Sequence, residues 1–199
     1  MGGFETMTDK LLEVALCGYL PYGVQVVGDR KIYYTVDGIR TIKTGDISIK
    51  SNDTHIGFIR ELNLALRPIS CLTKPITVPN YNQGKEFVPI VELLRLQETN
   101  SFHTDEHIRL NFDESKIISC VHMEYRYTDK RDFIVKYVST DHHVYSFTYD
   151  PETRRFATRD ETLSKPLGIA FQADMFDLMN QWLIDWRDLI GKGLAVSID

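Results

Sequence analysis

Paired cysteines are missing from this chain of 199 residues. Its three cysteines, Cys17, Cys71 and Cys120, lie far apart and form no CxxC pair, so their spacing signals neither a disulfide framework nor a zinc knuckle. Each has apolar neighbours in the sequence, and we expect reduced thiols that pack as small apolar side chains. A Gly-rich phosphate loop, a G-x-S-x-G elbow and a dinucleotide fingerprint are also missing, so no common enzyme class is signalled.

The sequence also lacks a basic excess and a long apolar run. The 23 Lys and Arg residues are outnumbered by 28 Asp and Glu, which gives a net charge of −5. This balance makes nucleic acid an unfavoured partner, although a mild basic excess in residues 20–80 leaves a weak nucleic-acid-binding module as one alternative. No segment resembles a signal peptide or a membrane span, so we expect a cytoplasmic protein that has no contact with membranes.

Hydrophobic residues make up 43% of the chain and aromatic residues 11%, enough for one domain or two small lobes. A helix is predicted to begin at Thr8 and to stop at Gly18. Short strand-like runs follow, separated by turn pairs such as Asp37-Gly38. We therefore predict an α+β fold that begins with a small N-terminal antiparallel β lobe over residues 1–80, either a sheet or a partly open barrel.

The second predicted lobe covers residues 81–199 and could form one compact unit with the first. Pro89 is placed to start a helix that buries Ile90, Leu93 and Leu94. From residue 108 the apolar pattern alternates, which predicts an antiparallel β-meander. Its buried face carries the aromatic residues Tyr145, Phe147 and Tyr149.

A long helix is predicted near the C-terminus. Apolar residues recur at steps of three and four from Met175 to Ile190, and Gly191 follows as a cap. A helix of this kind has to bury its apolar face, so we expect it to pack against the meander.

One short motif suggests chemistry. His103, Glu106 and His107 match the H-x-x-E-H pattern, in which two imidazoles one helical turn apart hold zinc and the glutamate acts as general base. The motif lies between a polar segment at 97–101 and a strand-like run that starts at Ile108, which leaves little room for a stable helix. A solvated loop that contains two histidines by chance is the competing interpretation.

Two further sets of polar residues are weaker candidates for metal ligands. Asp141, His142 and His143 lie in a predicted hairpin turn, and His122 and Glu124 share one face of a predicted strand. We interpret both sets as exposed polar groups.

Four segments resemble a family of uncharacterised proteins carried by phages and prophages of gut anaerobic bacteria. They are residues 18–24 (GYLPYGV), 66–76 (LRPISCLTKPI), 84–90 (GKEFVPI) and 185–195. Residues 97–166 depart from this resemblance. The resemblance implies a bacterial cytoplasm, a mobile-element origin and a binding or accessory role, and it carries over no functional residue.

Our leading hypothesis is therefore a non-enzymatic accessory protein of phage type. We expect it to bind another macromolecule, a protein rather than nucleic acid, and to need no cofactor. The alternatives are a zinc-dependent hydrolase centred on His103, Glu106 and His107, and the weak nucleic-acid-binding module. One zinc ion per chain, lost on substitution of His103 or His107, would distinguish the hydrolase from the other two.

Overall fold

The helices and strands of the computed structural model divide between two units. The first unit comprises Met1–Ile69 and Met179–Asp199, and the second comprises Ser70–Leu178. Described residues are 7–28, 32–42, 47–100, 117–124, 131–138 and 142–198. Both units combine helix with antiparallel sheet, which confirms the predicted α+β class.

The described residues of the first unit form two small sheets. One sheet has the strand order β12-β6-β1-β2 and the other the order β3-β4-β5. Every neighbouring pair is antiparallel except β12 and β6, which are parallel. The strands are β1 (Gln25–Val27), β2 (Tyr33–Thr35), β3 (Gly38–Thr41), β4 (Ile47–Ser51), β5 (Thr54–Phe58), β6 (Asn63–Leu66) and β12 (Ala195–Ser197).

The first helix, α1 (Met7–Tyr19), buries one apolar face in the core of this unit. It runs one residue beyond the predicted stop at Gly18. A short 3-10 turn then leads to Gly23, whose φ of 71° is a left-handed conformation that glycine adopts without steric cost. The buried positions recur at helical spacing and are Leu12, Ala15, Leu16 and Tyr19.

The second unit is built on a five-stranded antiparallel meander with the strand order β11-β10-β9-β8-β7. Its predicted aromatic face is confirmed, because Tyr145, Phe147 and Tyr149 are all buried. Phe156 of the neighbouring strand lies 4.7 Å from Tyr149, between ring centroids. The strands are β7 (Ile117–Glu124), β8 (Arg131–Val138), β9 (Val144–Asp150), β10 (Arg155–Asp160) and β11 (Lys165–Leu167).

Helix α2 (Pro89–Asn100) also belongs to the second unit and begins at the predicted proline. Ile90, Leu93 and Leu94 are fully buried, as their spacing predicts. Beyond them, the buried Gln97 accepts a hydrogen bond from the Ala170 N–H at 3.0 Å. Within the described ranges, no helix is both long enough and apolar enough to cross a bilayer.

The long C-terminal helix is the main correction to the predicted fold. The helix in this region, α3 (Gln172–Gln181), has only ten residues. Leu183 adopts a left-handed φ of 58°, its N–H donates to the Asn180 carbonyl, and the Ile184 N–H donates to the Met179 carbonyl. These two bonds form a Schellman motif, which satisfies the last carbonyls of the helix and ends it.

Pairing with a distant segment explains why the helix stops there. The Arg67 N–H donates to the Leu183 carbonyl and the Asp185 N–H donates to the Arg67 carbonyl, both at 2.8 Å. Ile184 thereby forms a parallel bridge with Arg67. Apolar spacing continues beyond residue 181, but these backbone bonds require extended rather than helical geometry.

The segment after α3 also belongs to a different unit from the one that the sequence predicts. The sequence places a boundary at residue 80 and assigns everything after it to one lobe. In the structure the first unit ends at Ile69, and the segment from Met179 onward returns to it. This return follows from the parallel pairing of β12 with β6.

Asp185 holds the chain that follows α3. Its buried carboxylate accepts hydrogen bonds from the N–H groups of Leu189 at 2.8 Å and Ile190 at 2.7 Å. Burial raises the pKa of this carboxyl, and the two backbone donors counteract part of that increase. One side chain therefore satisfies two backbone donors in a segment without regular helix.

Replacing Asp185 by Asn should destabilise the protein at pH 7 by about 1–3 kcal/mol, because the amide offers one acceptor oxygen where two N–H groups need one each. Urea unfolding monitored by circular dichroism measures the loss. Asp177→Asn is the matched control, since Asp177 is an exposed aspartate of α3. Equal unfolding midpoints for Asp185→Asn and the control would contradict this role of Asp185.

Candidate functional site

A cleft of about 440 Å³ lies in the second unit, at the first turns of α2. We call it the α2 cleft. Its polar lining residues are Asn82, Glu86, Glu92 and Arg95. Its apolar lining residues are Pro75, Phe87, Val88, Val91 and Ile117. This combination of an apolar surface with a few charged groups is typical of ligand-binding sites.

The segment before α2 forms one wall of the cleft. Ile76 and Phe87 pair as an isolated antiparallel bridge, with N–H to carbonyl distances of 2.9 and 3.0 Å. The intervening chain reverses through residues with positive φ, of which Gly84 has a φ of 73°. Asn82 stabilises this turn by donating from its amide to the Glu86 carbonyl at 3.3 Å. The wall is thus held by backbone pairing and one side-chain amide.

Tyr81 joins this wall to α2. Its ring packs on the Phe87 ring at 4.6 Å between centroids, and its hydroxyl donates to Glu92 Oε2 at 3.3 Å. Burial, together with the negative charge of Glu92, raises the pKa of Tyr81 to about 12. Tyr81 is therefore neutral at physiological pH and acts as a hydrogen-bond donor.

The charged residues of the cleft carry an acidic excess. Arg95 Nη1 donates to both carboxylate oxygens of Glu92, at 2.7 and 2.9 Å, one turn along α2. Glu86 is exposed, and among the described residues no cation forms an ion pair with it. Among the described lining residues, Arg95 therefore balances one of two carboxylates, which leaves an excess of one negative charge.

The predicted zinc residues His103, Glu106 and His107 lie outside the described residues. Across the described part of the chain, no group of three or more His, Cys, Asp and Glu side chains is arranged to hold a metal ion. His122 and Glu124 lie on β7. Asp141 lies outside the described residues, and His142 is exposed, as predicted. The hydrolase hypothesis therefore stays a prediction from the sequence.

His143 differs from its predicted role as an exposed turn residue. Its Nδ1 lies 2.8 Å from Oδ2 of the buried Asp160, and its ring stacks on Tyr145. Burial alone would raise the pKa of Asp160, but hydrogen bonds from the Leu163 N–H and His143, with the charge of His143, hold this pKa below its usual value. The pair joins the start of β9 to the end of β10.

The cysteines agree only in part with the predicted core role. Cys71 is buried, Cys120 is half-buried and Cys17 is exposed. Burial raises the pKa of the Cys120 thiol to about 11, so this residue is a protonated, weakly reactive thiol at neutral pH. The exposure of Cys17 corrects the expectation that all three pack inside.

Comparison of the chain with protein-family models, with curated proteins and with solved structures found no match. The resemblance to uncharacterised phage proteins stays a prediction. Its segment at 84–90 does, however, cover the residues that join the cleft wall to α2.

Replacing Asp160 by Asn should cost about 1–3 kcal/mol at pH 7, because the carboxylate pairs with the His143 ring and accepts a hydrogen bond from the Leu163 N–H. Its pKa in the folded protein is lowered below the ordinary 3.8, so this stability is fully present above pH 3.8 and is lost as pH falls through the folded pKa. Urea unfolding at several pH values should show the gap between the wild type and Asp160→Asn closing in acid. The exposed Asp177→Asn is the control, and a gap that widens in acid would contradict the assignment.

Proposed function

We propose that this protein is a non-enzymatic binding protein that recognises a segment of a partner protein in the α2 cleft. The observation that carries the proposal is the composition of the cleft, in which five apolar side chains lie beside two glutamates and one arginine. An apolar side chain of a partner would be desolvated against the apolar lining. A neighbouring Lys or Arg would be attracted to the carboxylates.

A short peptide suits this cleft in size as well as in chemistry. A volume of about 440 Å³ is at the lower end of the range for ligand sites, which corresponds to one or two side chains rather than a whole domain. The internal contacts of the wall, from the Ile76–Phe87 bridge to the Tyr81–Glu92 hydrogen bond, hold the cleft in shape before a ligand arrives. A preformed site loses less entropy on binding.

The resemblance to phage proteins adds the setting that we propose. In a bacterial cytoplasm, an accessory protein of a mobile element would act on host or phage proteins by binding them. The acidic net charge of −5 agrees with a basic peptide as the ligand and opposes nucleic acid.

We expect a display library of random peptides, panned on the immobilised protein, to enrich sequences with an apolar residue next to Lys or Arg. The enriched peptide, resynthesised with a fluorophore, should bind Glu86→Lys about three- to tenfold more weakly than wild type, because the rim charge is reversed. Fluorescence anisotropy measures the affinity.

Glu152→Lys is the matched control. Glu152 is an exposed glutamate of the same unit, in the turn between β9 and β10, and it does not line the cleft. Its variant should bind as the wild type does. If both variants weaken binding equally, the change in net charge explains the effect and Glu86 has no specific role. A failure to enrich any peptide would refute the proposed function.

A further inference from the structure

The two edges of the five-stranded sheet differ in a way that points to a binding mode. One edge is β11, only three residues long, in which Lys165 and Pro166 are exposed. Short length, lysine and proline are the devices by which proteins keep an edge strand from pairing with another chain. This edge of the sheet is protected.

At the other end of the sheet, β7 is the outermost strand in the part of the chain that the structure describes, and it lacks these devices. It has eight residues, contains neither proline nor lysine, and carries exposed apolar side chains at Ile118 (55%) and Val121 (39%). A bulge at Ile118 interrupts its pairing with β8, but Ser119 through Glu124 stay in continuous register. Among the described residues β8 is the one neighbour of β7, and alternate N–H and carbonyl groups of β7 point away from β8 and can pair with an added strand.

This open edge is continuous with the α2 cleft. Ile117, the first residue of β7, is one of the apolar residues that line the cleft. An extended peptide with one side chain in the cleft can therefore continue beside β7. Edge pairing would supply affinity through the backbone, whereas the cleft would select the side chains.

We propose that the partner segment binds as an extended strand added to the outer edge of β7. An apolar side chain of the segment occupies the α2 cleft, and an adjacent Lys or Arg lies against Glu86. This inference rests on the proposed function and adds to it the conformation of the ligand. Exposed Ile118 and Val121 are covered when the strand is in place, which accounts for apolar side chains at an otherwise solvated edge.

A scan of backbone N-methylation along the enriched peptide tests the strand geometry. Each methyl group removes one N–H donor and obstructs pairing at that residue only. Methylation at every second residue should weaken binding about tenfold or more, and methylation at the residues between should have little effect.

Variants of the protein test the same edge. Val121→Lys should weaken binding of the basic peptide at least threefold, whereas Leu163→Lys should leave it unchanged. Leu163 is the matched control, because it is an exposed apolar residue (62%) in the turn beside the protected edge. Circular dichroism of both variants verifies that they remain folded.

The outcomes separate this inference from the proposed function. If Glu86→Lys weakens binding but methylation shows no alternation and Val121→Lys has no effect, the peptide occupies the cleft alone and the strand model is overturned. A dimer of the free protein that Val121→Lys dissociates would overturn it as well, because the edge would then serve self-association. If no peptide binds at all, both proposals fail.

Discussion

Backbone hydrogen-bonding groups that leave a regular element must find partners, and this constraint governs much of the structure. At the end of α3, the Schellman bonds and the bridge to Arg67 satisfy groups that a longer helix would have satisfied internally. Asp185 supplies two acceptors to the next turn. At the cleft, the Ile76–Phe87 bridge gives an irregular segment the pairing that keeps it in place.

The need of backbone groups for hydrogen-bond partners is also the reason why we propose the outer edge of β7 as a binding site. The protected edge β11 has few groups to offer, whereas β7, outermost among the described strands at the other end of the sheet, presents those of Ser119 through Glu124 in continuous register. The neighbouring cleft would add selectivity for the partner's side chains. Backbone pairing at an edge cannot supply it, because such pairing is insensitive to the partner's sequence. In the proposed complex, the apolar lining would select side-chain size, and Glu86, which pairs with no cation among the described residues, would select charge.

Features that depend on local sequence were predictable. Pro89 begins α2 because a missing N–H costs nothing at that position, and alternation in β9 correctly identified the buried aromatic face.

The end of α3 was not predictable, because Ile184 pairs with Arg67, which is far away in the sequence. For the same reason, the sequence predicts an exposed turn at His143 and gives no sign of its contact with Asp160, which lies 17 residues away. The cleft was not predictable either, because its apolar lining comes from three separate segments of the chain.

Amide hydrogen exchange of the protein, measured by NMR with and without the enriched peptide, tests the central claim most directly. The account predicts that exchange slows at alternate amides between Ser119 and Glu124, together with those of residues that line the cleft. Slowing confined to the cleft, or found in the first unit with none along β7, would contradict it.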